Sequence, residues 1–404
     1  MVILAVSFYW KNLRGIWPVL QPVASRSPGV SVSATPIVSG QKPVANSTGM
    51  PLKLPDGFSV SIFAENLPNA RVMAFDSLGN MWISQPDKGT VSMLEIENGK
   101  VVRQNAIFRN LKNPHGLAFD PDQPTMLYIA EENKISRVLT YSDGGLGKIA
   151  DLPSGGGHFT RTLGFGPSYA KASEGKPDGR LYVSIGSSCN VCNEKDDRRA
   201  KIFSMEPDGS DFKEYARGLR NSVFFTWRPD TKQMWATEMG RDLLGDNLPP
   251  DEINIISEGQ YYGWPICYGK NIHDTNFDKS LYFRNPCMEP FEKESYIDIP
   301  AHSAPLGLAF IPTPSAGGWP SEYRDDLLVA YHGSLNRSTP TGYKIVRMKL
   351  DKNGNYQGTE DFISGWIGGG KVYGRPVDLV FGPNGNLYVS DDKVGLIYKI
   401  TPNN

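Results

Sequence analysis

Apolar residues recur along this chain in short alternating runs, and the runs recur in sets. From Pro51 onward, a small residue or glycine and one or two apolar residues lead into a phenylalanine. A Pro/Asp/Gly/Asn turn follows, and an apolar–aromatic–apolar triplet opens the next run. Instances are VMAFDSLGNMWIS around Phe75, HGLAFDPDQPTMLYIA around Phe119, and TLGFGP with GRLYVSIG around Phe165. Three more are SVFFTWRPDTKQMWAT around Phe225, LGLAFIP with DDLLVAYHG around Phe310, and VDLVFGPNGNLYVSD around Phe381. A third run often follows, as in TVSMLEI, KISRVLT, YKIVRMKLD and LIYKIT. Period-two alternation between turn residues predicts strands, and helical periodicity is weak throughout.

The phenylalanines stand 44, 46, 60, 85 and 71 residues apart. The first two spacings match a bare four-stranded blade; the longer ones imply loop insertions. Six repeats predict an all-β chain folded as a six-bladed β-propeller, whose radial closure protects the sheet edges. Another antiparallel all-β architecture is the competing reading. The largest insertions fall between Gly240 and Pro305 and between Pro312 and Tyr331, and are expected on one face, where they would build a site.

Composition narrows the function classes. The chain has 404 residues, with Lys+Arg 42 against Asp+Glu 43, so its net charge is -1. A protein that neutralises nucleic-acid phosphates would be basic. Residues 1–20 hold an apolar run, MVILAVSFYW, with Lys11 and Arg14 after it rather than before it. The run is too short to span a bilayer. An incomplete leader and a shortened signal anchor both fit. Gln21 to Asn46 is rich in Ser, Pro, Val and Thr, like a flexible linker. The expected organisation is therefore a leader or membrane-anchor remnant plus linker over 1–49 and a catalytic propeller over 50–404. The expected location is extracytoplasmic, periplasmic or at the cell surface, with a possible membrane tether.

The four cysteines lie in two local sets, Cys189 with Cys192 and Cys267 with Cys287. Zinc needs two close pairs, and a redox Cys-x-x-Cys opens a helix. Two loop-closing disulfides fit best, in an oxidising compartment; free thiols in a reducing one stay open.

Four of the five histidines occupy comparable places at strand ends: His115, His158, His302 and His332. His273 sits in the insert between Cys267 and Cys287 and is expected at the surface. Single cations mark blade entrances: Arg220 beside Asn221, Arg337 and Lys344 after LLVAYHG, and Lys371 and Arg375 before VDLVF. Taken singly each is an ordinary structural or solvated residue. Gathered in one funnel, they suit a small ligand with several carboxylates or phosphates. The segment 237–265, TEMGRDLLGDNLPPDEINIISEGQYYGWP, joins a glycine turn to four acids, Asp242, Asp246, Asp251 and Glu252. Its oxygens suit a hard cation such as calcium, though Asp251 and Glu252 can equally brace the loop.

These blocks, with SGGGHFTRTLGFGP, ARGLRNSVFFTWRP, HSAPLGLAF and HGSLNRSTPTGYKIVR, resemble the soluble quinoprotein sugar dehydrogenases over roughly residues 52–402. The L-sorbosone dehydrogenase branch and the aldose sugar dehydrogenases are the most similar. The resemblance implies pyrroloquinoline quinone (PQQ) and calcium as cofactors, and oxidation of an aldose or sugar aldehyde. His158 matches the general base and Arg220 the arginine beside the quinone oxygens. Asn221, His302, Arg337, Lys344 and Arg375 fall in the cofactor-binding blocks. Gly240 and Arg241 match the turn whose carbonyls hold calcium. The resemblance also implies a haem protein or a membrane quinone as electron acceptor. Two departures stand out. Ser187 occupies the place of an Asp that orients the base, and Arg241 replaces a proline in the metal turn. Two other function classes compete: a calcium-dependent lactonase or esterase, which needs carboxylates converging near the axis, and a non-catalytic binding propeller.

Overall fold

The structure, a computed structural model, describes residues 45–166, 179–290, 292–312, 317–334 and 336–403. The leader and most of the linker expected over 1–49 lie outside these residues.

Six four-stranded antiparallel sheets follow one another around a ring. The innermost strands are Met73–Phe75, Gly116–Phe119, Leu163–Phe165, Phe225–Trp227, Pro305–Phe310 and Pro376–Phe381. In five of the six blades the repeated phenylalanine ends its inner strand; in four it pairs with the first residue of the next, as Phe75 does with Met81, and Phe119 pairs with Leu127, the second. In the fourth blade the residue in that register is Trp227, opposite Met234, two places beyond Phe225. The turn chemistry is visible at Asp76. Its carboxylate accepts from the backbone of Leu78 and Asn80 and from the Trp82 indole, while Gly79 takes a φ of 83° that side chains disfavour.

The ring closes by sharing a blade between the two chain ends. Phe58–Ala64 pairs antiparallel with Leu396–Pro402, Phe58 opposite Pro402 and Val60 opposite Ile400, as the outermost strand of the sixth blade. Ala45 and Ser47 bond to Val60 in turn, so the expected boundary at residue 50 falls inside this paired segment. Between blades, fully buried aliphatics such as Val91, Leu127, Ile129, Leu327, Val329 and Val377 supply the core. Burying each contributes about 1.5–3 kcal/mol, which offsets the entropy of ordering so strand-rich a chain.

Within each blade the inner strand runs away from one end of the ring, the second returns, the third leaves and the fourth returns. Blade-to-blade connections and second-to-third connections therefore share one end. The long connection from Phe310 to Leu327 joins a first strand to a second, so it lies at the other end. There Trp319 and Tyr323 pack on Phe58 and Phe362. The insertions are thus divided between the two ends. The insert between Ile256 and Ile297 leaves from that far end, but folds back along the fourth blade. Trp264 N donates to the Gly218 carbonyl (3.0 Å), and Asp274 reaches Arg241 (2.9 Å). Cys267 and Cys287 are joined within it, as are Cys189 and Cys192 in their own loop; among the described residues no cysteine is free.

Candidate active site

His115, His158, Arg220, His302 and Arg375 stand on blade-to-blade connections. Gly240, Arg241, His332 and Arg337 stand on second-to-third connections. The strand order therefore brings residues 260 positions apart in sequence to one end of the ring.

His158 follows the glycine run Gly155–Gly157. Its Nδ1 lies 2.8 Å from the Ser187 carbonyl and 3.0 Å from Ser187 Oγ. A carbonyl only accepts, so Nδ1 carries the proton and Nε2 holds the lone pair. Ser187, the departure from the family pattern, thus orients the ring without a carboxylate. Burial, then the charge of Arg220, pushes the pKa of His158 down to about 3, so the ring is neutral at pH 7. Gly186 lies against it: a Cβ there would meet Asn221 Oδ1 at 2.5 Å and His158 Cβ at 2.8 Å.

Arg220 is buried. Its Nε donates to the Asn190 carbonyl (2.8 Å), Nη2 to Asn190 Oδ1 (3.0 Å), and Nη1 to the Met239 carbonyl (3.2 Å). Three of its five N–H groups are thereby used. Its neighbour Asn221 donates its backbone N–H to Glu238 (2.7 Å), whereas its side-chain Oδ1 is buried with no partner. Asp251 accepts from Gly240 N and Ala304 N, both at 2.8 Å, which shapes the Gly240–Arg241 turn. Among the described residues, neither carbonyl of that turn accepts a hydrogen bond. The Arg241 guanidinium faces away onto Asp274, which neutralises it. Glu252 accepts from Gly269 N and Asn254 Nδ2. Asp251 and Glu252 therefore brace the loop.

At the same end of the ring, Asp392 takes Arg71 at 2.7 Å and His332 Nε2 at 3.0 Å to each oxygen. Arg375 donates through Nε to the His332 carbonyl (3.2 Å) and through Nη2 to the Gly333 carbonyl. Burial, then Arg375, pushes His332 down to about 4. His115 is fully buried and also held well below its ordinary value, first by burial and then by the charge of Arg71; its Nε2 has no partner. Sequence reasoning missed Arg71, Asp392 and Asn190. Signals existed for two: Arg71 precedes a phenylalanine strand as Arg375 does, and Asp392 follows its strand as His332 does. Nothing marks Asn190 beyond its place inside Cys-Asn-Val-Cys.

Two expectations need revision, those for Lys344 and His302. Lys344 does not join the cluster: its ammonium pairs with Asp361 at 2.6 Å on the outermost strand of the fifth blade, because alternation turns it away from the axis. His302 has both ring nitrogens engaged, Nε2 with the Gly245 carbonyl (2.9 Å) and Nδ1 near Asp242 (3.4 Å). Burial opposes its charge, but Asp242 and the carbonyl outweigh burial and raise its pKa, so it braces the 240–247 loop. Arg337 donates to the Ala301 carbonyl and Asn247 Oδ1, leaving Nε buried and unpartnered. His273 lies on the insert as expected, against Asp278 at 3.0 Å.

Known proteins align with this arrangement. A protein of Borreliella burgdorferi described as uncharacterized is 31% identical over 363 residues, covering 86% of this chain and 90% of that one. The pyrroloquinoline quinone-dependent pyranose dehydrogenase of Coprinopsis cinerea is 24% identical over 417 residues, covering 86% of this chain and 54% of the enzyme, so this chain spans about half its length. The holo form of that enzyme's PQQ domain superposes with a TM-score of 0.71 at 20% identity, covering 88% of this chain and 98% of that one. The calcium structure of a family AA12 protein from Trichoderma reesei gives 0.72 at 20% identity, covering 88% of this chain and 100% of that one. These structural likenesses establish the propeller. The family model described as TrAA12-like matches residues 52–403, so the chain belongs to the TrAA12-like family.

Proposed function

We propose that this protein is a quinoprotein dehydrogenase that oxidises an aldose or a related sugar aldehyde such as sorbosone, with PQQ and calcium as cofactors. One observation carries the reading. A neutral histidine with a bare Nε2 and a buried arginine stand at the same end of the ring as buried polar atoms that have no partner among the described residues: Asn221 Oδ1, His115 Nε2, Arg71 Nε and Arg337 Nε. A ligand rich in oxygen and negative charge would satisfy the Arg71 and Arg337 N–H groups, whereas the Asn221 oxygen calls for a donor. Family membership and the PQQ-dependent enzyme among its relatives support the same choice.

PQQ and calcium would supply a hydride-accepting carbonyl carbon polarised by a Lewis acid. The unused carbonyls of Gly240 and Arg241 fit a hard cation, and the two unspent N–H groups of Arg220 fit an oxygen that gains negative charge. Arg71, Arg337 and Arg375 are the cations suited to the three carboxylates of the cofactor. His158 Nε2 takes the proton from the anomeric hydroxyl as hydride leaves the same carbon. Nδ1–H stays on Ser187 throughout, which keeps the lone pair on Nε2. The imidazolium so formed is favoured by the nearby charge of Asp242.

The two disulfides support an extracytoplasmic location, where a haem protein or a membrane quinone would accept the electrons. The test is reconstitution with calcium and PQQ, followed by dye reduction and the cofactor spectrum over a panel of aldoses and aldehydes. Turnover with at least one sugar is expected. His158→Ala should lower it by more than about 100-fold while cofactor affinity stays within about threefold. No turnover across the panel, or a fully active His158→Ala, would overturn the proposal.

A further inference from the structure

The short hairpin closed by the Cys189–Cys192 disulfide has no part in the chemistry above, yet it touches both groups that carry it. On one side, Ser187 Oγ donates to the Cys189 carbonyl (2.6 Å). Its proton spent there, the oxygen can only accept from His158 Nδ1. On the other side, the carbonyl and the amide oxygen of Asn190 take two N–H groups of Arg220. The same amide oxygen accepts from Asp242 N (2.8 Å), and Nδ2 donates to the Asp242 carbonyl (3.1 Å). One side chain therefore ties the guanidinium to the residue that follows the Gly240–Arg241 turn.

The hairpin is itself fastened. Glu194 accepts from Ser188 N (2.5 Å) and Oγ (2.7 Å), and the Ser188 carbonyl accepts from Gly157 N (2.7 Å), immediately before His158. Gly156, at a φ of 84°, lies so close that a Cβ would stand 2.8 Å from Ser188 Cα. The glycine run before His158 is thus what lets its strap cross the hairpin.

We infer that the Cys189–Cys192 hairpin is a shared positioning element for His158 and Arg220, with Asn190 as the positioning residue for Arg220. The roles of the two groups rest on the function proposed above; the contacts themselves do not depend on the cofactor. Closing the ring across residues three apart restricts the backbone on which the Cys189 and Asn190 carbonyls sit. Loosening it should release both groups, whereas trimming Asn190 should release Arg220 alone.

Three variants of the full chain separate these effects: Asn190→Ala, Asn190→Asp, which keeps an acceptor oxygen for Arg220, and the double Cys189→Ser/Cys192→Ser. Histidine-selective 15N spectra of the cofactor-free protein read the tautomer of His158. A single Nδ1-protonated form is expected in the wild type and in both Asn190 variants, and an averaged pair of tautomers in the double serine variant. Titration with PQQ and calcium should show about tenfold weaker binding for Asn190→Ala, which loses a hydrogen bond to a charged donor. Circular dichroism confirms that each variant is folded. A locked tautomer in the double serine variant, together with unchanged affinity in Asn190→Ala, would overturn the inference. So would a shifted His158 tautomer in Asn190→Ala, because it removes the division of labour. If the wild type bound no PQQ, the functional reading would fall, and the tautomer comparison would still decide the role of the hairpin.

Discussion

Asp392→Asn tests the electrostatics of the site with little change of shape. The carboxylate lies between Arg71 and His332, and all three side chains are about one-tenth exposed, at 10%, 10% and 11%. Burial works against its charge, but His332, Arg71 and Arg375 outweigh burial and hold it far below the ordinary carboxylate range. Removing one member of a buried ion pair costs about 3–5 kcal/mol, because the other is left uncompensated. With about 2.1 cal/mol/K of unfolding entropy per residue over roughly 340 described residues, the apo midpoint should fall by about 4–7 °C. The sign reverses for the cofactor. Arg71 and Arg375 lose their internal anion, and one unit charge about 8 Å away at an effective dielectric near 20 is worth about 2 kcal/mol. A tricarboxylate should therefore bind roughly tenfold or more tightly. The group's pKa is depressed on folding, so its contribution is present above the unfolded value near 3.9 and lost as pH falls through the folded one. The gap between wild type and variant should be constant above about pH 5 and close at lower pH. Thermal scans of apo and loaded protein, with a fluorescence titration of PQQ, read both effects. An unchanged apo midpoint, or weaker cofactor binding in the variant, would refute the reasoning.

Four further outcomes are expected. Gly186→Ala places a methyl against Asn221 Oδ1 and His158, so cofactor binding should fall by at least about tenfold while the midpoint moves by only a few degrees; normal binding would show that this contact relaxes freely. Burial pushes Glu238 up to about 8, above its ordinary 4.5, so its contribution is full below pH 4.5 and lost as pH rises to about 8. Glu238→Gln should flatten the fall in stability across that window, by as much as about 1.4 kcal/mol per pH unit, in urea unfolding series at stepped pH. Because His158 is neutral down to about pH 3, kcat/KM should show no acid limb from this base near pH 6.5, and a limb there that disappears in a His158 variant would contradict the depressed pKa while leaving His158 as the base. Thiol labelling of the unfolded, unreduced protein should detect no free cysteine; four labelled thiols would remove the support for an oxidising compartment.

The legibility of the site follows from the range of each signal. His158, Arg220 and Arg375 could be found because each precedes a recognisable inner strand, and the repeat fixes where such positions point. The orientation of His158 by Ser187, 29 residues away, could not be read. Lys344 shows the limit from the other side. It carries the right charge in the right block, yet its pleat directs it to Asp361 on the outer strand. His302 is similar, since its loop takes up both ring nitrogens.

Local chemistry in the chain was enough to determine strands, turns, blade number and the two half-cystine pairs, because alternation, turn residues and short loops act over a few residues. Closure of the ring decided the rest. It laid Phe58–Ala64 against the C-terminal strand and brought the blade entrances to one end. It also buried Arg71, His115, His332 and Asp392 where desolvation and neighbouring charge, which exist only in the packed state, set which of them carries a proton.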